Sequence, residues 1–446
     1  MTREFADELA ALQEQVAHLL TDVSELDERV TAIETRPVFP EVTGYLDYRI
    51  GFLGKLDFDD EFDALTMKFG LEGSVADDAY ARITVKHTTK SQPLSVLGRE
   101  VTQGPPLVAP IGPPDPASGY GFRDVYLDEA WLSFETTRVT PAKWTVGRQY
   151  QRYGLGLVAD NDRLSQQGFR GQFEGLFGSN LYGEVFLGGA SYGTLPAPYL
   201  GYGDGYASAY LQYGQDNWSI GIPFLINGYS ADTGPGDQFD ERAWGVDLWW
   251  RFLGDRELRA EWARLEEHAN RSTASHPENT DPTALMVLAD IWNDDTIRVT
   301  GVYTDVDPEY DVVYSSIHPY YEKLFPGTGT SFVPWERWMY RTLALPNFEI
   351  WGADAAWQIS GRDTVEFTYY DLARKTNRWA AAPFRHYSYN QLYKLTLSRQ
   401  MGSNLTTSLT WARQEPAPQC WMCPAQSITV GCDELELLMV RAELQF

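Results

Sequence analysis

No run in this chain approaches the ~20 consecutive apolar residues that a membrane-spanning helix needs. Mean hydropathy is only -0.36. A helical membrane protein is therefore excluded. Positive charge is scarce: 36 Lys and Arg stand against 62 Asp and Glu, a net charge of -26. Such a chain repels phosphates, so nucleic acid is not an expected partner. Histidine is sparse too. His18, His87, His268, His276, His318 and His386 are scattered and form no H-E-x-x-H pair. No metal or other cofactor is expected. Cysteine is confined to Cys420, Cys423 and Cys432. The odd count leaves at least one thiol outside any internal bridge, and Cys420-Trp421-Met422-Cys423 lacks the βαβ context of a redox motif. A disulfide between two of the three, stapling an external loop, is the expectation. A charged n-region followed by an apolar h-region is also missing at the start, so a mature or truncated product is expected.

What the chain does have is aromatic residues, at 14%, and alternation. Beyond residue 41, strand-like segments are separated by gaps that run long, short, long, short to the end. The short gaps include Gly178-Ser179-Asn180, Gly254-Asp255, Asn293-Asp294-Asp295 and Gly402-Ser403-Asn404. These are polar and rich in Gly, Asn and Asp, as tight hairpins require. Within segments the period is two. Trp351, Ala353, Ala355, Trp357 and Ile359 alternate with Ile350, Gly352, Asp354, Ala356 and Gln358. Most segments reach about nine to thirteen residues, longer than soluble strands and long enough for a tilted crossing of a bilayer. The pattern predicts an all-β fold, a transmembrane antiparallel up-and-down β-barrel of about 18 strands, preceded by a short N-terminal α-helical coiled coil. The barrel is expected over 42–446, with strands near 142–154 and 169–177 flanking the third long connection. An even strand number puts both chain ends on the side of the short turns.

Residues 1–36 form the expected stalk and 37–41 a linker. Leu9, Leu12, Val16, Leu19, Val23, Leu26, Val30 and Ile33 recur at spacings of three and four, a heptad seam that ends before Pro37. Self-association follows. Val at a with Leu at d leans towards two chains, whereas Leu20 widens the stripe and leans towards more.

The third long connection is the sharpest candidate site. Arg148 and Arg152 precede it, Asp160, Asp162 and Arg163 lie within it, and Arg170 follows. A loop folded inward against such residues would form a constriction whose opposed charges sort solutes. Inward parity elsewhere predicts a wet lumen lined by Asp247, Arg251, Arg259, Glu261, Arg298, Asp354, Glu366, Lys394, Arg441 and Glu443. Enzyme motifs are poor. Gly189-Ala190-Ser191-Tyr192-Gly193 matches G-x-S-x-G but ends a meander strand instead of turning into a helix. Acidic stretches such as 57–63 and 232–241 read as solvated loops, with divalent-cation bridging to surface glycolipid as the sharper reading.

Met1-Thr2-Arg3-Glu4-Phe5-Ala6, directly before a heptad and a barrel, resembles the close of an S-layer homology domain. The whole architecture resembles the S-layer-homology porins. That resemblance implies a homotrimer in the bacterial outer membrane with its stalk in the periplasm. It further implies passive diffusion of small hydrophilic solutes and ions, and tethering to a cell-wall polymer in a longer parent carrying the missing domain. Phe446, with apolar residues at alternate preceding positions, resembles the signal read by barrel-assembly machinery. Outer-membrane lipid or glycolipid is the remaining expected partner. The alternatives are a channel selective for acidic saccharides or other anions and, less favoured, an outer-membrane hydrolase.

Overall fold

The computed structural model describes residues 40–54, 60–76, 78–91, 125–137, 141–160, 166–189, 205–230, 238–267, 281–307, 310, 348–375, 389–415 and 435–446. The coiled-coil residues, Asp162, Arg163, Cys420, Cys423 and Cys432 lie outside these.

Eighteen strands follow one another in order. They are β1 (Glu41–Gly54), β2 (Asp60–Ala76), β3 (Ala79–Ser91), β4 (Val125–Thr136), β5 (Ala142–Gln149), β6 (Gln166–Phe173), β7 (Leu181–Gly189), β8 (Gly205–Gln215) and β9 (Trp218–Ser230). The second half comprises β10 (Gln238–Phe252), β11 (Arg256–Glu267), β12 (Thr283–Asn293), β13 (Ile297–Val306), β14 (Phe348–Gln358), β15 (Asp363–Arg374), β16 (Tyr389–Gln400), β17 (Leu405–Glu415) and β18 (Leu435–Gln445). Each pairs antiparallel with its sequence neighbours, and β1 also pairs with β18, so the sheet is closed. Closure removes every free edge. The seam is sealed at the last residue: Gly44 N donates to Phe446 O at 2.7 Å and Phe446 N to Gly44 O at 3.0 Å.

The hairpins sit at the expected short gaps. At the turn between β10 and β11, Leu253 and Gly254 both have positive φ, 45° and 79°. That is the turn chemistry whose twist matches the flanking strands. Several expected boundaries move, among them that of the strand read near 169–177, which runs Gln166–Phe173. The strand read as 142–154 stops at Gln149, and its last residues enter the third loop. The acidic stretch read as a loop to residue 63 already belongs to β2 from Asp60.

Outward positions are apolar. On β18, Val440 and Leu444 are 49% and 38% exposed, while Met439 on the opposite face is 1% exposed. Trp250, Trp351 and Trp357 also point outward. Aromatic residues mark both ends of this wall. Near the turns, Trp144 stacks on Phe169 at 5.0 Å, and Trp250 lies 5.2 Å from Phe252. Towards the long loops, Trp244 meets Trp262 at 5.2 Å and Trp351 meets Tyr369 at 5.9 Å. Two aromatic belts bracketing an apolar band form the surface expected of a barrel in a bilayer.

Candidate functional site: the inward third loop and the charged lumen

The third loop joins β5 to β6. Its described part, 150–160, folds into the barrel and packs against the inner face of β7–β13. Leu157 and Val158 are fully buried, and they cluster with Phe186, Leu225, Ala263, Leu265 and Met286 from the wall. The loop is fixed by directed bonds as well. Glu261 on β11, 0% exposed, accepts from Leu155 N at 2.5 Å and Val158 N at 3.3 Å. The ring of Tyr153 lies 5.0 Å from that of Tyr210 and nearly parallel to it. Gln151 donates to Ser208 at 2.7 Å, and Tyr310 donates to the Leu157 carbonyl at 2.8 Å. Gly154 makes the approach possible. Its φ is +51°, and a Cβ there would stand 2.9 Å from Glu261 Oε2. Burial, then the nearby Glu184 carboxylate, pushes the Tyr153 hydroxyl's pKa upward, so it stays a hydrogen-bonding phenol.

The constriction residues separate into distinct places. Arg152 pairs across the loop with Asp160 at 3.5 Å and remains 54% exposed to the lumen, whereas the Asp160 side chain is buried. Arg170 holds Glu184 of β7 through two bonds of 2.7 Å. Arg148 is a correction. It pairs in register with Ala130 and Gln167, on the same face as Val146 and Trp144, and that face is the outer one. The inward positions of β5 are Thr145 and Gln149, both buried.

Register puts the ten lumen candidates on the inner face. Asp247 and Glu261 oppose each other directly under the loop. Arg259 and Arg251 both approach Glu257, at 2.7 and 3.6 Å. Arg298 pairs with Asp290 at 3.1 Å. Asp354 accepts from Thr368 at 2.6 Å and Tyr370 at 2.5 Å. Glu366 and Lys394 oppose Thr396 and Thr368. Arg441 bonds Asp47 at 2.8 Å and Glu443 at 2.6 Å.

One cluster escapes sequence reasoning. Lys68 on β2 lies 2.7 Å from Asp128 and 2.8 Å from Glu129, both buried on β4. Tyr150 donates to the same Asp128. A break in register between Thr84 and Val85 lets two consecutive acids turn inward, which strict alternation forbids. Arg82, 3.6 Å from Glu129, extends the network.

Below the loop, towards the turns, lies a cavity of about 910 Å³ bounded by Arg152, Tyr182, Tyr210, Asp247, Trp249 and Arg259, among others.

The fold is shared with solved structures at low identity. The Pseudomonas aeruginosa protein OccK11 (OpdR) is 11% identical, with a TM-score of 0.51 over 92% of this chain and 97% of that one. OccK5 (OpdH) of the same organism is 13% identical, with a TM-score of 0.51 over 91% and 98%. Acinetobacter baumannii OccAB2 is 10% identical, with a TM-score of 0.50 over 91% and 98%. No protein-family model matches the chain, and neither does any curated protein.

Proposed function

We propose that this protein is an outer-membrane porin that lets small hydrophilic solutes and ions diffuse through its lumen. The observation that carries this reading is the combination of a closed 18-strand barrel with a loop held inward against a charged inner wall. A barrel of this strand number is wide enough for an aqueous channel. The OccK11, OccK5 and OccAB2 structures share this fold over nearly their whole length, and that shared fold supports the reading. The lumen carries both signs, mostly as preformed pairs. The chain's large negative charge therefore lies mainly elsewhere, and strong selectivity for one sign is not expected. The heptad seam and the resemblance at residues 1–6 support a trimer on a periplasmic stalk, and a wall-tethered parent if the missing domain precedes it.

The test is single-channel conductance in planar bilayers with a reversal potential measured across a KCl gradient. Stable conductance with weak selectivity is expected. A purified, folded barrel that inserts without conducting overturns the reading. Strong anion selectivity would favour the alternative channel for acidic saccharides.

A further inference from the structure

We infer that the cavity beneath the inward loop is a binding site for a neutral saccharide. The inference rests on the channel reading above. The volume, about 910 Å³, is large enough for a small sugar with water around it. Three aromatic residues from separate strands line it: Tyr182 of β7, Tyr210 of β8 and Trp249 of β10. Trp249 occupies an inward position, opposite Arg259. A half-buried indole in a wet lumen offers a flat apolar surface for the C–H face of a sugar ring.

The polar groups decide the charge of the ligand. Arg259 is 2.7 Å from Glu257, which also lies 3.6 Å from Arg251. Arg251 in turn sits over the Trp249 ring at 5.2 Å. On the loop side, Arg152 is engaged by Asp160 at 3.5 Å and by the Leu155 carbonyl at 3.2 Å. An anionic solute would meet the carboxylates of Asp216, Asp247 and Glu257 in the lining, and a cationic one would meet Arg152 and Arg259. Vicinal hydroxyls are repelled by neither. Each hydroxyl donates and accepts, so it can bridge a guanidinium and its carboxylate without separating them. Gln212 and Asn180, at the same wall, add amide groups of both kinds. This is a site for polyhydroxylated neutral solutes on the turn side of the inward loop, with Arg152, Gly154 and Leu155 of the loop at its margin.

The test uses the full chain in planar bilayers, with maltose as the probe and glucuronate as the charged control. Maltose added on the turn side is expected to reduce KCl conductance saturably, with glucuronate at least several-fold weaker. Trp249→Ala is expected to weaken the maltose block about tenfold, measured as the fraction of that variant's own KCl conductance. Trp249→Leu, which keeps an apolar side chain without an aromatic face, should weaken the block alike and covers the case in which the alanine variant does not assemble. An open wild-type pore on which maltose has no saturable effect overturns the site and leaves the channel reading intact. So does a block stronger with glucuronate than with maltose, or one unchanged in both variants. A wild-type barrel with no conductance overturns the channel reading instead, and maltose binding to it by calorimetry, lost in Trp249→Ala, would then still support the site.

Discussion

Two stretches of the inner wall bury carboxylates in opposite ways. On β1, β2, β4 and β18, buried acids are answered by cations: Asp47 by Arg49 and Arg441, and Asp128 and Glu129 by Lys68. On β11, Glu261 is answered by backbone N–H groups of the third loop. In the first stretch the acid belongs to an electrostatic lining. In the second it is a clamp that decides where a loop lies. Inward charge in a barrel is therefore not one category. Its role depends on whether side chains or a folded-in backbone satisfy it.

The sharpest way to break this contrast is Glu261→Leu. Two N–H groups of the loop would lose their acceptor in a buried setting, at a cost of about 4 kcal/mol. Chemical denaturation in lipid should show the loss, and single-channel records should become noisier with a larger mean conductance. An unchanged trace would mean that packing alone holds the loop.

Lys68→Met probes the other stretch. It leaves Asp128 and Glu129 without their ammonium partner, and breaking such a buried pair costs about 3 kcal/mol. Lys68 meets the loop at its first residue, Tyr150, whose ring centre lies 5.3 Å from the ammonium. The Glu261 clamp is left in place, so conductance noise should stay near the wild-type level while the reversal potential moves towards cations. Noise resembling that of Glu261→Leu would show that the two stretches are coupled through Tyr150.

The outer face supplies a control. Val440→Arg is expected to cost about 2–3 kcal/mol if the position lies near mid-membrane, whereas Glu443→Arg on the inner face should cost little. Equal costs would place the register one residue out.

The smallest expected effect lies at the rim. Asp307, just past β13, accepts from Lys375 at 2.8 Å and from Thr283 N at 2.8 Å. Burial opposes its charge, but these bonds outweigh burial and hold its pKa below the ordinary carboxylate value of 3.8. A depressed pKa means the stabilisation is complete above that ordinary value and fades as pH falls through the folded one. Asp307→Asn should cost about 1 kcal/mol at pH 7, and the difference from wild type should shrink below about pH 4. A difference that grows on acidification would reverse the assignment.

Much of the barrel was legible in the sequence because alternation and polar turns reinforce each other strand after strand. Trp351 and Trp357 face outward for the reason that Asp354 faces inward. The misplacement of Arg148 comes from letting nearness to Arg152 outweigh that same alternation: Trp144 and Val146 already set the outward parity. The Lys68 cluster is different. It depends on a register break that no local pattern announces, since Asp128 and Glu129 are ordinary neighbours until β3 pairs with them. The clamp was half visible. Glu261 was on the right face, but a carboxylate aimed into a lumen looks the same in sequence whether it meets water or a loop.

The seal at Phe446 bears on time as well as on shape. Asp47 and Arg441, which bond across it, are 394 positions apart. No earlier part of the chain can substitute for that contact, so the first strand must wait for the last. Until then both margins of the growing sheet expose unpaired backbone to other chains. Contacts of such long separation form slowly. The interval between the start of β1 and the arrival of Phe446 is thus when the chain is most open to aggregation, and an escort that covers those margins would act in that interval.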